Sequence, residues 1–138
     1  MWFTSVKVEF MILGDNILPE EITRRLGISP SLKWLKGEPL KGGGVQECSG
    51  WEINTDYEKS LDINGQLNLV IDKIKEKREE LKYICNRDGM ESKFSIVIKI
   101  ENGQTPAIVM NREVIELAYS INAEIEFDVY ANPYTDEE

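Results

Sequence analysis

Apolar and polar residues alternate from Thr4 to Ile12. Thr4, Val6, Val8, Phe10 and Ile12 fall on one side, and Ser5, Lys7 and Glu9 on the other, which is the period of a half-buried strand. The pattern then changes to a helical one. Pro19 suits a first helical position, Glu20 and Glu21 complement the dipole, and Ile22 and Leu26 form the buried stripe. Gly27 stands where a left-handed cap closes the helix, and Ile28 can fold back onto Ile22. From Ser29 to Val45 the periodicity is lost among Pro30, Gly37, Pro39 and Gly42-Gly43-Gly44. An irregular connection is expected there, with Ser29 to Gly44 mobile.

A second strand is expected from about Cys48 to Thr55, with Trp51 and Ile53 on one face. The longest helix starts near Asp62 or Asn64, either of which can cap it, and runs to Ile84. It carries Ile63, Leu67, Val70, Ile71, Ile74 and Leu81 on its buried side. Asn86 to Gly89 reads as a turn and Phe94 to Ile100 as a third strand. Thr105 to Met110 is expected as a short fourth strand leading into a helix capped by Asn111, with Val114, Ile115, Leu117, Ala118 and Ile121 inward. The last strand puts Ala123, Ile125, Phe127 and Val129 in, and Glu124, Glu126 and Asp128 out.

The order strand, helix, strand, helix, strand, strand, helix, strand defines an α+β protein. One domain over 1–131 is expected, with a flexible acidic tail at 132–138. Alternating strands imply a mainly antiparallel or mixed sheet of four to five strands, wet on one face and covered by helices mainly on the other.

Composition narrows the functions. Sixteen basic against twenty-five acidic residues give a net charge of −9, which repels phosphate backbones; nucleic acid is not an expected partner, whereas a basic protein is. No run approaches the ~18 apolar residues of a membrane span, and the first residues lack a secretory pattern, so a cytoplasmic protein is expected. Cys48 and Cys85 are far apart and read as reduced structural thiols. The chain has no histidine. That removes Ser-His-Asp and Cys-His catalysis and histidine-ligated zinc, and no cofactor or metal is expected.

The remaining motifs are weak. Gly42-Gly43-Gly44 lacks the Lys-Ser or Lys-Thr of a phosphate loop. Asp62-Ile63-Asn64-Gly65 fails as a calcium loop, because its glycine falls two positions early and Lys73 occupies the place of the closing glutamate. Asp128, before Val129 and Tyr130, is either a solvated strand-face carboxylate or a site residue, the former being the rule. Trp34 in the long connection either plugs the core or anchors a partner; Trp51 belongs to the core.

Several separated motifs carry a resemblance. Gly14-Asp15, Pro19-Glu20-Glu21-Ile22-Thr23, Leu26-Gly27-Ile28-Ser29-Pro30, Lys36-Gly37-Glu38, Trp51 and Ile125-Glu126-Phe127-Asp128-Val129-Tyr130 resemble the bacterial domain of unknown function numbered 4279. The resemblance spans nearly the whole chain. Asn122 departs from it, where glycine is more usual, but asparagine tolerates the left-handed conformation. No activity comes with the family. Most matching residues have structural explanations, and Asp15, Asp128 and Tyr130 are the least explained by folding.

The reading that follows is a small acidic protein-binding domain, one specific form being an immunity-type protein that occludes a toxic partner. Its expected binding residues are Asp15, Trp34, Lys36, Glu124, Glu126, Asp128 and Tyr130, none of them assigned as catalytic. The alternatives are a carboxylate-based hydrolase or transferase using Asp15, Asp128 and Tyr130, and a homo-oligomeric structural protein. The enzyme reading requires those groups to converge in a pocket; the binding reading requires an exposed apolar or aromatic patch.

Overall fold

The computed structural model describes residues 3–132. The tail expected from 132 onward lies outside the described residues except for Asn132, whose N–H donates to the Ile100 carbonyl at 2.9 Å. Among the described residues, six strands form one mixed sheet: β1 (Ser5–Leu13), β2 (Leu32–Trp34), β3 (Gly50–Asn54), β4 (Glu58–Lys59), β5 (Glu91–Ile100) and β6 (Ala123–Ala131). The order across the sheet is β2-β3-β1-β5-β6, and β4 continues the β3 side by pairing with the start of β1. All pairings are antiparallel except β5 with β6, which run parallel through a helical crossover.

β1 is the central strand, and its alternation sets the two faces. Val6, Val8, Phe10 and Ile12 are buried, whereas Ser5, Lys7, Glu9, Met11 and Leu13 stand on the opposite face. Across β5, Phe94 meets Phe10 with ring centroids 4.8 Å apart, and Ile96 and Ile98 face Val8 and Val6. The helices α1 (Pro19–Leu26), α2 (Asn64–Ile74), α3 (Arg78–Cys85) and α4 (Arg112–Ser120) cover this face. Gly27 caps α1 at φ 68°, and Trp51, fully buried on β3, donates its indole N–H to the Thr23 hydroxyl at 3.0 Å, tying α1 to the sheet. Asn111 caps α4 by accepting the Val114 N–H at 3.0 Å, and Asn122 adopts φ 59° at the turn into β6. No helix among the described residues is long and apolar enough to cross a membrane.

Four expectations are corrected. The segment 29–45 is not irregular throughout: Leu32–Trp34 pairs with β3, and a Pro39–Val45 bridge closes a small hairpin. A three-residue edge strand held by its backbone leaves no alternation to read. The long helix divides at a 3-10 turn over Lys75–Lys77. No residue from 75 to 80 is buried, so nothing anchors a straight continuation to the sheet; α2 packs on β1, while α3 turns to pack against α1 and α4. Residues 105–110 make only one bridge, from Ala107 to Asp62, and Pro106 has no N–H to extend it. Finally, Ile115, Phe127 and Val129 do not enter the core; they are 49%, 40% and 49% exposed.

Candidate functional site

The seven residues singled out in the sequence separate into two groups at opposite edges of the sheet. Asp15, Trp34 and Lys36 meet at the β2 edge. Gly14, directly after β1, has φ 141°, and its backbone lies so close to the turn that leads into β5 that an added Cβ would stand 2.5 Å from the Gly89 carbonyl oxygen. This places Asp15 where Oδ1 accepts the Ser49 N–H at 2.9 Å and Oδ2 lies 3.7 Å from Lys36 Nζ. The Lys36 N–H in turn donates to Ser49 Oγ at 3.1 Å. Trp34, half-buried, lays its ring over Gly50, where a Cβ would be 2.1 Å from Cζ2. A hollow of about 280 Å³ opens beside the ring, bounded by Leu18, Pro19, Leu35 and Glu38. Asp15 thereby ties the β1–α1 loop to the residue that precedes β3.

The second group lies on β6. Glu124, Glu126, Asp128 and Tyr130 share the wet face, in register with Lys93, Ser95, Val97 and Lys99 of β5. Glu126 accepts from the Ser95 hydroxyl at 3.2 Å and sits 3.5 Å from Lys93 Nζ, so it is held in place and partly neutralised. Tyr130 donates its hydroxyl to Asp128 Oδ2 at 3.1 Å. That bond and the carboxylate's charge raise the phenol pKa, so Tyr130 stays protonated and serves as a donor rather than a base.

The opposite face of β6 is apolar and largely uncovered, for a reason of length. The nine residues of α4 extend ~13 Å, whereas the nine of β6 extend ~30 Å. A two-residue turn makes α4 run back along the strand, so it shields Ala123 and Ile125 and stops short of Phe127 and Val129. Ile115 and Tyr119 complete the patch. Glu113 faces Lys75 at 4.0 Å, on the side of α4 toward α2. Ile115, two residues on, is turned ~200° away, so it and Tyr119 flank the β6 edge. Tyr119 is 87% exposed.

The groups invoked by the hydrolase reading do not converge. Asp15 follows the Leu13 end of β1, while Asp128 is level with Lys7 through Val97. Six strand residues separate those levels, roughly 20 Å.

Two arrangements were not visible in the sequence. Glu52, on the wet face beside Met11, is only 4% exposed. Burial pushes its carboxyl pKa up, opposed by the hydrogen bond from Asn54 Nδ2 at 2.7 Å and reinforced by the neighbouring Glu9. At the far end of the same face, Lys99 and Lys7 approach the Tyr57 ring at 4.0 and 5.4 Å, and Lys59 approaches Phe3 at 4.3 Å. Pairing of Lys59 and Lys99 on either side of Ser5 creates this aromatic and basic cluster from residues distant in sequence. Cys48 and Cys85 are both free thiols; burial raises the pKa of each, Cys85 to about 11, and neither is activated as a nucleophile. Among the described residues, no group of three or more cysteine, aspartate or glutamate side chains is placed to hold a metal ion.

A mixed sheet with helices on one face, a tightly packed Gly14-Asp15 junction and an open β6 edge make this an α+β protein. Residues 4–132 match the family described as Domain of unknown function (DUF4279), and the chain belongs to that family. No curated protein and no solved structure matches it.

Proposed function

We propose that this domain is a protein-interaction module that recognises a basic partner through the β6 edge. The observation that carries the reading is the apolar patch of Ile115, Tyr119, Phe127 and Val129, left open by the short α4 and backed on the other face by Glu124, Glu126 and Asp128. Large apolar side chains set beside an acidic row, in which Glu126 is shared with Lys93 while Glu124 and Asp128 have no basic partner within ion-pair distance among the described residues, are the composition of a recognition surface, with an apolar centre and a charged rim. The net charge of −9 steers a cationic partner to this surface and repels an anionic one. When the partner's own functional surface is the cationic one, covering it is inhibition, the immunity-type form of this function. Trp34 and Lys36, at the opposite edge, are not part of this surface.

The test compares capture from an extract of the native cell by the parent protein and by the Tyr119→Ser, Phe127→Ser double variant. Tyr119 is 87% and Phe127 40% exposed, and the fold of the variant is checked by circular dichroism before capture. A basic protein retained by the parent and lost from the variant is the expected result; identical capture by the two, or capture of an acidic protein that the variant also holds, contradicts the proposal.

A further inference from the structure

The ladder between β5 and β6 determines which backbone groups of β6 are left over. The Asn132 N–H points at the Ile100 carbonyl, and Ile100 is in register with Ala131, so the even-numbered residues of β6 direct their N–H and C=O groups toward β5. The odd-numbered ones, Ile125, Phe127 and Val129, direct theirs to the open edge. No strand or side chain among the described residues receives them. The same three residues point their side chains to the apolar face. The edge therefore offers a regular row of donors and acceptors, with Phe127, Val129 and Ile115 on one side and Glu124, Glu126 and Asp128 on the other.

We infer that the partner binds here by adding an extended segment as a further strand, and that this segment alternates cationic and apolar residues. The inference rests on the interaction reading above and specifies its geometry and chemistry. In a strand laid against β6, alternate side chains fall on alternate faces. Those on the wet face stand beside Glu124, Glu126 and Asp128, where lysine or arginine is attracted and a carboxylate repelled. Those on the other face meet Phe127 and Val129, where apolar groups lose water contact. A second copy of this chain is the wrong occupant. Antiparallel pairing of two β6 strands about Phe127 sets Glu126 opposite Asp128 of the other copy, and neighbouring registers also oppose acidic pairs. Three acidic residues in a row guard the edge against self-association while admitting a basic strand.

The experiment uses the full chain and a synthetic peptide alternating lysine and valine, with a second peptide N-methylated on alternate residues as control. Amide hydrogen exchange is followed residue by residue. With the first peptide, exchange at Ile125, Phe127 and Val129 should slow by about tenfold or more, while Glu126, Asp128 and Tyr130, already bonded to β5, change little. The N-methylated peptide, which keeps the charges but loses the backbone donors, should give no such pattern. Uniform slowing along β6, or equal effects of the two peptides, overturns strand addition while leaving a surface that binds by side chains alone. Absence of any effect overturns the inference outright, and the capture experiment then judges the interaction reading separately. Slowing at the same three amides as the protein alone is concentrated would show a second copy to be the occupant and equally overturn it.

Discussion

Gly50 is a strand residue at which one methyl group tests the packing of the β2 edge. In the parent, the Trp34 ring occupies the space above its Cα, and a Cβ would lie 2.1 and 2.2 Å from two ring atoms, far inside contact distance. Gly50→Ala cannot be absorbed by a small shift; the half-buried ring must leave, or β2 must separate from β3, to which it is joined at only three register positions. Overpacking of this kind costs about 1–3 kcal/mol. Against it stands the gain from restricting the unfolded chain, about 0.4–1 kcal/mol. The clash wins, and for a domain of this length each kcal/mol lowers the melting temperature by about 4 °C. The assay is thermal and urea unfolding of four proteins: the parent, Gly50→Ala, Trp34→Ala and the double variant. Removing the ring removes the clash, so Gly50→Ala in the Trp34→Ala background should be neutral or slightly stabilising. Equal losses in both backgrounds would refute the placement of Trp34 over Gly50.

Ile71, fully buried on α2, should not tolerate aspartate: Ile71→Asp leaves an unpaired charge in the core and should cost several kcal/mol, or about 3–5, in equilibrium unfolding. Glu52→Gln should stabilise the protein near neutral pH. Burial raises the Glu52 pKa above its ordinary 4.5, so the folded state takes up the proton more readily than the unfolded one. The parent is thus relatively most stable below about pH 4.5 and loses that increment as pH rises through the folded-state pKa. Melting curves of parent and variant should converge in acid and separate toward pH 7, and the opposite trend would remove the buried-carboxylate argument. Cys85, 1% exposed with its pKa pushed up to about 11, should resist alkylation in the folded protein and react only on unfolding, as mass spectrometry of labelled protein can show.

The elements that carry their own periodicity were legible in the sequence: β1, α1 with its Gly27 cap, β5, and α4 with its Asn111 cap. What escaped was set by partners distant in the chain. β2 is too short to alternate and owes its existence to pairing with β3. The helix from Asn64 kept its apolar spacing through the break at Lys75–Lys77, because spacing records which residues face inward and not whether the axis stays straight. Alternation in β6 identified two faces correctly but not how far a helix covers one of them; Phe127 and Val129 are exposed because α4 is less than half as long as the strand beneath it. Asp15, Trp34 and Lys36 came together through Ser49 and Gly50, which nothing local marks. Glu52 reads as an ordinary outward strand residue and is nonetheless buried, with Asn54 and Glu9 beside it.

The central claim is that recognition occurs at the β6 edge and not at the Asp15 corner. The most direct measurement is the dissociation constant for the captured partner with three proteins: the parent, the Tyr119→Ser, Phe127→Ser variant, and Asp15→Asn, all confirmed as folded. Loss of two well-placed aromatic anchors should weaken binding by about a hundredfold, roughly 3 kcal/mol, whereas Asp15→Asn, which can still accept the Ser49 N–H, should leave it unchanged. Undiminished binding by the double variant together with a large loss in Asp15→Asn would contradict the account and move the site to the opposite edge of the sheet.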